Sequence, residues 1–452
     1  MKVITLLRHR AYQDLKKPWI VGIVLGLLCL MLWSTYQEMR VYRHYEQAQT
    51  AMIERQRHLW EHQGELNPHT AVHHGLYAFK PWLPLSVLEP GLQVYLGSTL
   101  FLEGHRQNVD VFAPAADQLR LSALSVLSPA ALFQYAVPLL IILLGYGAIS
   151  QLRTQGTLAF LVAYGVSRRQ MLWAEGLYLY ALVMAVVLPT FVFSAFWFFQ
   201  QSGWQILDGQ WLLFWCAYLL YWGLFVQLTL LISARLSQPR QALGVLLILW
   251  CVNGFVLPRS LMSAGDLPAY SELQAQIQTD LDALPNWQTR LSQLDLPATV
   301  NAEAVVLKAS EADETAVFAR HMDALYGRYN ALIQRVYRWR MWVPGLALQH
   351  ASQGLAQSDF SAHQDFLRAA EAYRQSYILQ LNDVLSERSA EETFSYVAGN
   401  ELWKQVPAFE APRVLSAEQW QASVKSLYFL GGWWFLSLSL LGVYQRRYEV
   451  LS

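Results

Sequence analysis

Apolar and polar positions are segregated into long blocks along this chain. Six blocks contain no Asp, Glu, Lys or Arg: Trp19–Tyr36, Phe133–Ile149, Leu177–Phe199, Trp211–Ile232, Ala242–Leu257 and Leu427–Val443. At about 1.5 Å of helical rise per residue each is long enough, or nearly so, to cross a hydrocarbon layer of about 30 Å without placing a charge at its centre. The pattern predicts a mainly α membrane protein with a six-helix transmembrane bundle, the spans lying at 19–36, 131–150, 176–200, 211–233, 241–257 and 426–443.

Two long polar segments interrupt the spans, at 37–130 and 258–425. The first opens with EMRVYRHYEQAQTAMIERQRHLWEHQGEL (Glu38–Leu66), whose apolar positions recur at helical spacing and continue the first span into water. Asn67–Leu127 is rich in Gly and Pro and reads as extended or irregular. The second segment reads as helices over Tyr270–Leu284, Asn301–Val336 and Phe360–Ser386; in the last, Phe366, Ala370, Tyr373, Tyr377 and Leu381 share one face. Pro344-Gly345 and Pro407 are read as breaks. The expectation is one largely helical domain built from two insertions.

Charge orients the bundle. Segments 1–18, 150–176, 233–241 and 444–452 carry twelve Lys and Arg against three acids, Asp14, Glu175 and Glu449. The chain as a whole is neutral, so the remainder is acidic by the same margin. The positive-inside bias of the short loops puts both termini, the 151–175 loop and the 444–452 tail in the cytoplasm, and the two insertions outside. The first span follows a basic stretch but lacks a small-x-small cleavage site, so it reads as an uncleaved anchor. Residues 1–18 suit an interfacial helix on the inner membrane surface.

Composition narrows the chemistry. Hydrophobic residues make up 54% of the chain and charged ones 15%. Cys29, Cys216 and Cys251 all fall in spans, leaving the water-facing parts without a disulfide framework. No Walker A sequence, G-x-S-x-G or H-E-x-x-H occurs, which excludes those routes to ATP hydrolysis, acyl transfer or zinc proteolysis on this chain. The metal-like signal is histidine: His69, His73 and His74 lie in NPHTAVHHG, His105 lies downstream, and His58 and His62 are an i, i+4 pair. Imidazoles so spaced can ligate Zn or Cu. The plainer reading, hydrogen-bonding residues around a turn, is adopted, with His69, His73, His74 and His105 kept as candidates. Gln227 and Asn253, inside spans, either line a polar path or fasten helices to one another.

The basic loop QLRTQGTLAFLVAYGVSRRQ (Gln151–Gln170) is the strongest functional candidate, with Arg153, Gly156, Thr157, Leu158, Ser167, Arg168 and Arg169 as its marked residues. Here the chain resembles ABC-2 type transporter permeases of the type V exporter fold. These carry E-R-x-x-G-T-L, then V-S-R, then G-K; this chain has Gln151-Leu152-Arg153-Thr154-Gln155-Gly156-Thr157-Leu158, then Val166-Ser167-Arg168, then Ala174-Glu175-Gly176. The acids before Gly-Thr-Leu and the Gly-Lys pair are replaced. A subgroup of unknown function with two large periplasmic insertions is similar over Asn67–Gly97, Phe101–Asn108, Leu257–Arg259, Trp342–Asp383 and Glu401–Phe409.

The resemblance implies a non-catalytic, multi-pass subunit of a bacterial inner membrane, with ATP and Mg bound on partner ABC ATPase subunits. It implies a second permease chain, identical or paralogous, and no nucleic acid; a periplasmic partner is compatible with it. In the coupling loop, Arg153 and Arg168 would pair with acids of the ATPase, Gly156 would allow close approach, and Thr157 would cap the coupling helix. Substrate export is the leading function. Mechanical transmission to a periplasmic partner without transport is the alternative, and a histidine-metal membrane protein or enzyme the third.

Overall fold

The computed structural model describes residues 2–109, 127–202, 209–262, 270–293, 301–388, 396–413 and 415–449. Part of the first insertion and the end of the 444–452 tail lie outside the described residues. Among those described, six helices are long and apolar enough to cross a membrane. They are α2 (Pro18–Glu61), α4 (Pro129–Thr154, a run of helical pieces), α6 (Arg168–Ser202), α7 (Gly209–Arg235), α8 (Pro239–Met262, also in pieces) and α15 (Ala417–Glu449). The expected six-span, mainly α architecture is borne out.

The helix α1 (Lys2–Leu15) packs along α6. Its Asp14 is buried and accepts from Tyr178 Oη at 2.9 Å, while Arg10 and Lys17 neutralise it at 3.1 and 2.8 Å. α2 runs unbroken from Pro18 into the polar insertion. Its 44 residues span about 66 Å at about 1.5 Å each, twice a hydrocarbon core. α7 is the centre of the bundle: Phe214, Tyr218, Tyr221 and Trp222 are all buried, and Trp222 Nε1 donates to Phe133 O at 2.8 Å. By contrast α2 and α8 keep apolar side chains such as Ile23, Leu25, Ile248 and Phe255 exposed.

Both insertions contribute to one polar unit. The first holds α3 (Pro68–His74) and an antiparallel sheet, β1 (Leu76–Phe79), β2 (Thr99–Glu103) and β3 (Arg106–Gln107), with Leu76 opposite Leu102 and Leu102 opposite Gln107. The second holds α9 (Tyr270–Asp282), α10 (Trp287–Gln293), α11 (Ala302–Tyr337), α12 (Pro344–Ala356), α13 (Phe360–Arg388) and α14 (Asn400–Gln405). Leu76, Ala78, Leu100 and Leu102 of the sheet share a core with Phe366, Ala370, Tyr377 and Leu381 of α13 and with Trp60 and Trp403. Period-two burial on the strands meets period-3.6 burial on the helix, so neither insertion completes this core alone.

Pro344-Gly345 stands at a break between helices, as read: the preceding turn ends at Met341, Val343 is extended, and a new helix starts at the proline. Proline without an N–H is well suited to the first helical position, and α12 begins there. This helix packs between α7 and α15, with Leu348, Ala351 and Leu355 fully buried in the bundle core.

Candidate functional site

The loop between the second and third spans folds as a short helix, α5 (Thr157–Ala163), bracketed by two left-handed residues, Gly156 at φ +74° and Gly165 at φ +75°. Glycine adopts that conformation without the Cβ penalty other residues incur. One expectation is corrected. Thr157 does not cap α5: Gly156 occupies the N-cap position and no side chain bonds the helix start. Ser167 instead caps the next helix, accepting from Gln170 N–H at 3.2 Å while Gln170 Oε1 accepts from Ser167 N–H at 3.0 Å. This is a reciprocal capping box.

Arg153 is tied within the chain. Its guanidinium donates to Ala234 O at 2.7 Å and Leu236 O at 3.1 Å, at the carboxyl end of α7. Carbonyls there lack helical partners and carry the negative end of the helix dipole, so a cation is drawn to them. Ser233 Oγ accepts from the Ile149 and Ser150 amides at 3.1 and 3.3 Å, a second tie between the loop's base and α7. Lys2 Nζ donates to Gly165 O at 2.7 Å, joining α1 to the far end. Arg168 is half-buried and engaged within the chain; Arg169 is exposed.

What α5 offers outward is apolar. Leu158 is buried, but Phe160, Val162 and Tyr164 are 61%, 38% and 70% exposed, and the Phe160 and Tyr164 rings pair at 4.6 Å. The sequence reading passed over these aromatics because TLAFLVAY resembles the apolar blocks around it. The signal was its position, a charge-free patch within a polar loop.

Gln227 and Asn253 both lie between helices. Gln227 accepts from Ser437 of α15, and Asn253 donates to Tyr221 Oη at 3.0 Å while accepting from Gly345 N–H at 2.9 Å. These are fastenings of α7 to α15 and of α8 to α7 and α12.

Glu89 was not singled out from the sequence. It is 5% exposed, and its Oε2 accepts from Ser352 Oγ of α12 at 2.6 Å and Tyr218 Oη of α7 at 3.1 Å. Burial pushes its carboxyl up to about 7 from an ordinary 4.5, against the opposing pull of those hydroxyls and the Gly91 amide. A carboxyl raised on folding favours the native state most below its unfolded value, and that preference is lost as pH rises through the folded value. Wild-type protein should therefore lose stability, on the order of 3 kcal/mol, between pH 4.5 and pH 8, and Glu89→Gln should flatten that slope. Melting temperatures of both proteins at pH 5 and pH 8 check this; parallel slopes would refute it.

The histidines separate. Asn67 caps α3 by accepting from His69 N–H at 2.9 Å, Pro68 follows, and Gly75 at φ +65° ends the helix, where a Cβ would lie 2.7 Å from Leu102 O. One turn of helix places His69 and His73 on one face. The β2–β3 turn brings His105 against them at φ +59°. His69 Nε2 lies 3.3 Å from His73 Nε2 and 3.4 Å from His105 Nε2. His105 Nδ1 faces Glu314 Oε2 at 2.7 Å and Glu311 Oε2 at 3.0 Å, and these carboxylates raise it to about 10. Burial, with His105 and His73 nearby, lowers His69. His74 is exposed and outside this group, as are His58 and His62, stacked at 4.3 Å on α2.

Two protein families match. The family described as ABC-2 family transporter protein matches residues 5–320, and a domain of unknown function, DUF3526, matches residues 266–412. No curated protein matches the chain.

Proposed function

This chain belongs to the ABC-2 family of transporter proteins, and we propose that it is the membrane-spanning subunit through which separate ATPase subunits drive export across a bacterial inner membrane. Membership of the family implies an ABC ATPase partner in general terms. The absence of Walker A agrees with hydrolysis, and its ATP and Mg, residing on that partner. The termini and α5 face the cytoplasm in this reading, as the basic short loops require. Both insertions face the periplasm.

The observation that carries the proposal is the exposed aromatic face of α5 combined with the rigid ties behind it. Closure of an ATPase dimer would push on Phe160 and Tyr164. Arg153 and Ser233 would pass the displacement to the end of α7, one of the two most buried spans, and α7 packs on α12 and α15. Nucleotide thus biases a two-state bundle through a discrete contact. A second permease chain, identical or paralogous, would pack along spans whose apolar faces this chain leaves open, with lipid covering the rest.

Transmission to a periplasmic partner is the second reading. It is favoured by α12, which links the polar unit to the bundle core through Glu89 and Ser352 and would carry motion outward without a path for substrate.

The test is co-purification of this chain with an ABC ATPase from its own cells, with subunit masses and ATP turnover measured together. A stable complex whose turnover depends on α5 is expected. A chain that purifies without any ATPase would overturn the reading.

A further inference from the structure

The geometry points to a three-histidine site for a late first-row divalent cation, of the Zn2+ class, formed by His69, His73 and His105 where the two insertions meet. Each of the three offers one ring nitrogen, and these lie within 4.8 Å of one another. The two closest pairs, at 3.3 and 3.4 Å, both converge on His69 Nε2. Ring nitrogens bound to one tetrahedral ion at about 2.0–2.1 Å lie about 3.3–3.4 Å apart.

Hydrogen bonding alone leaves this arrangement unbalanced. A ring nitrogen carries either one proton or one lone pair, so His69 Nε2 cannot serve both neighbours equally. A cation bound at His105 Nε2 displaces the proton that keeps this ring charged at neutral pH, and then takes one lone pair from each of the three rings. The outer partners that orient metal-bound imidazoles are present too. Glu311 and Glu314, one turn apart on α11, receive the His105 Nδ1 proton and so direct Nε2 inward. Glu311 also accepts from the His105 amide at 3.1 Å, which holds the turn in its left-handed form. The His69 ring lies beside the buried amide of Asn382.

Three protein ligands leave a fourth position, the arrangement of exchangeable or catalytic sites rather than closed structural ones. His69, His105 and Glu314 also line a cavity of approximately 620 Å³, shared with Asn67, Trp287 and Arg290, which gives a water or small anionic ligand access to the ion.

The full chain, purified in detergent and stripped with a chelator, should bind one Zn2+ in a competition titration against a chromophoric chelator. Co2+ in its place should give the visible bands of tetrahedral coordination. His69→Ala and His105→Ala should each weaken binding at least about tenfold and abolish those bands, and Glu314→Gln should weaken it about 10–100-fold. His74→Ala and the double variant His58→Ala/His62→Ala should bind as wild type. No binding tighter than about 10 μM would overturn the proposal. So would full binding by both His69→Ala and His105→Ala, or loss of binding on changing the α2 pair.

Discussion

Replacing Arg374 by methionine is expected to destabilise the protein by about 3–5 kcal/mol and to lower its melting temperature by about 10 °C. Arg374 is 1% exposed at the centre of the polar unit. Its guanidinium bonds Glu371 at 2.8 and 2.9 Å, Glu311 Oε1 at 3.2 Å, Thr315 Oγ1 at 3.2 Å and the Glu103 carbonyl at 3.1 Å. Methionine fills similar volume, so the loss comes from charge and not from a cavity. Glu311, itself buried, would keep His105 but lose its other cation, and the Glu103 carbonyl would lose a donor. The whole desolvation cost of the carboxylates then falls on the native state. Arg368, 72% exposed and 3.9 Å from Asp365, is the contrast on the same helix. Its replacement by alanine should change stability by less than about 1 kcal/mol, as for exposed pairs generally. Thermal unfolding of both variants, followed by tryptophan fluorescence, measures the difference; equal shifts would refute the argument.

The second large effect is expected at α5. Phe160→Asp with Tyr164→Asp should reduce ATP turnover by the assembled complex, or recovery of the ATPase on this chain, by at least tenfold. Buried aromatics at a contact commonly account for about 2–4 kcal/mol each, and about 1.4 kcal/mol is tenfold in affinity. Both side chains are exposed in the isolated chain, so the substitution removes no internal packing beyond their mutual contact and the melting temperature should hold. Arg169→Glu should have a smaller, salt-dependent effect, because an exposed charge steers encounter more than it sets affinity. Wild-type turnover in the double aspartate variant would remove α5 from the contact. Arg153→Glu should act differently, by freeing the end of α7 and lowering stability along with turnover.

Much of the fold was legible in the one-dimensional pattern. The six spans follow from charge-free apolar runs, because transfer into hydrocarbon is close to a sum over neighbouring residues. The apolar face of α13 was visible at three- and four-residue spacing, and Phe366, Ala370, Tyr377 and Leu381 are buried on it. The small sheet was not, since its strands are short and lie in a Gly- and Pro-rich stretch where turn residues dominate the pattern. Nor was α12, whose Pro-Gly start serves equally as a break or as a helix entry.

The sequence by itself determined that the chain is a membrane-spanning helical protein, and its resemblance to ABC-2 permeases agreed with that reading. It also marked the loop between the second and third spans. Only the tertiary structure decided what individual residues do there and elsewhere. It gave Arg153 to the carbonyls of α7, turned Phe160 and Tyr164 outward, and buried Glu89 between α7 and α12. It also brought His105 to His69 across 36 residues and to Glu311 across 206. Span formation depends on the residue and its neighbours in sequence. Charge pairing, burial of an acid and convergence of imidazoles depend on contacts between distant parts of the chain, which no local pattern encodes.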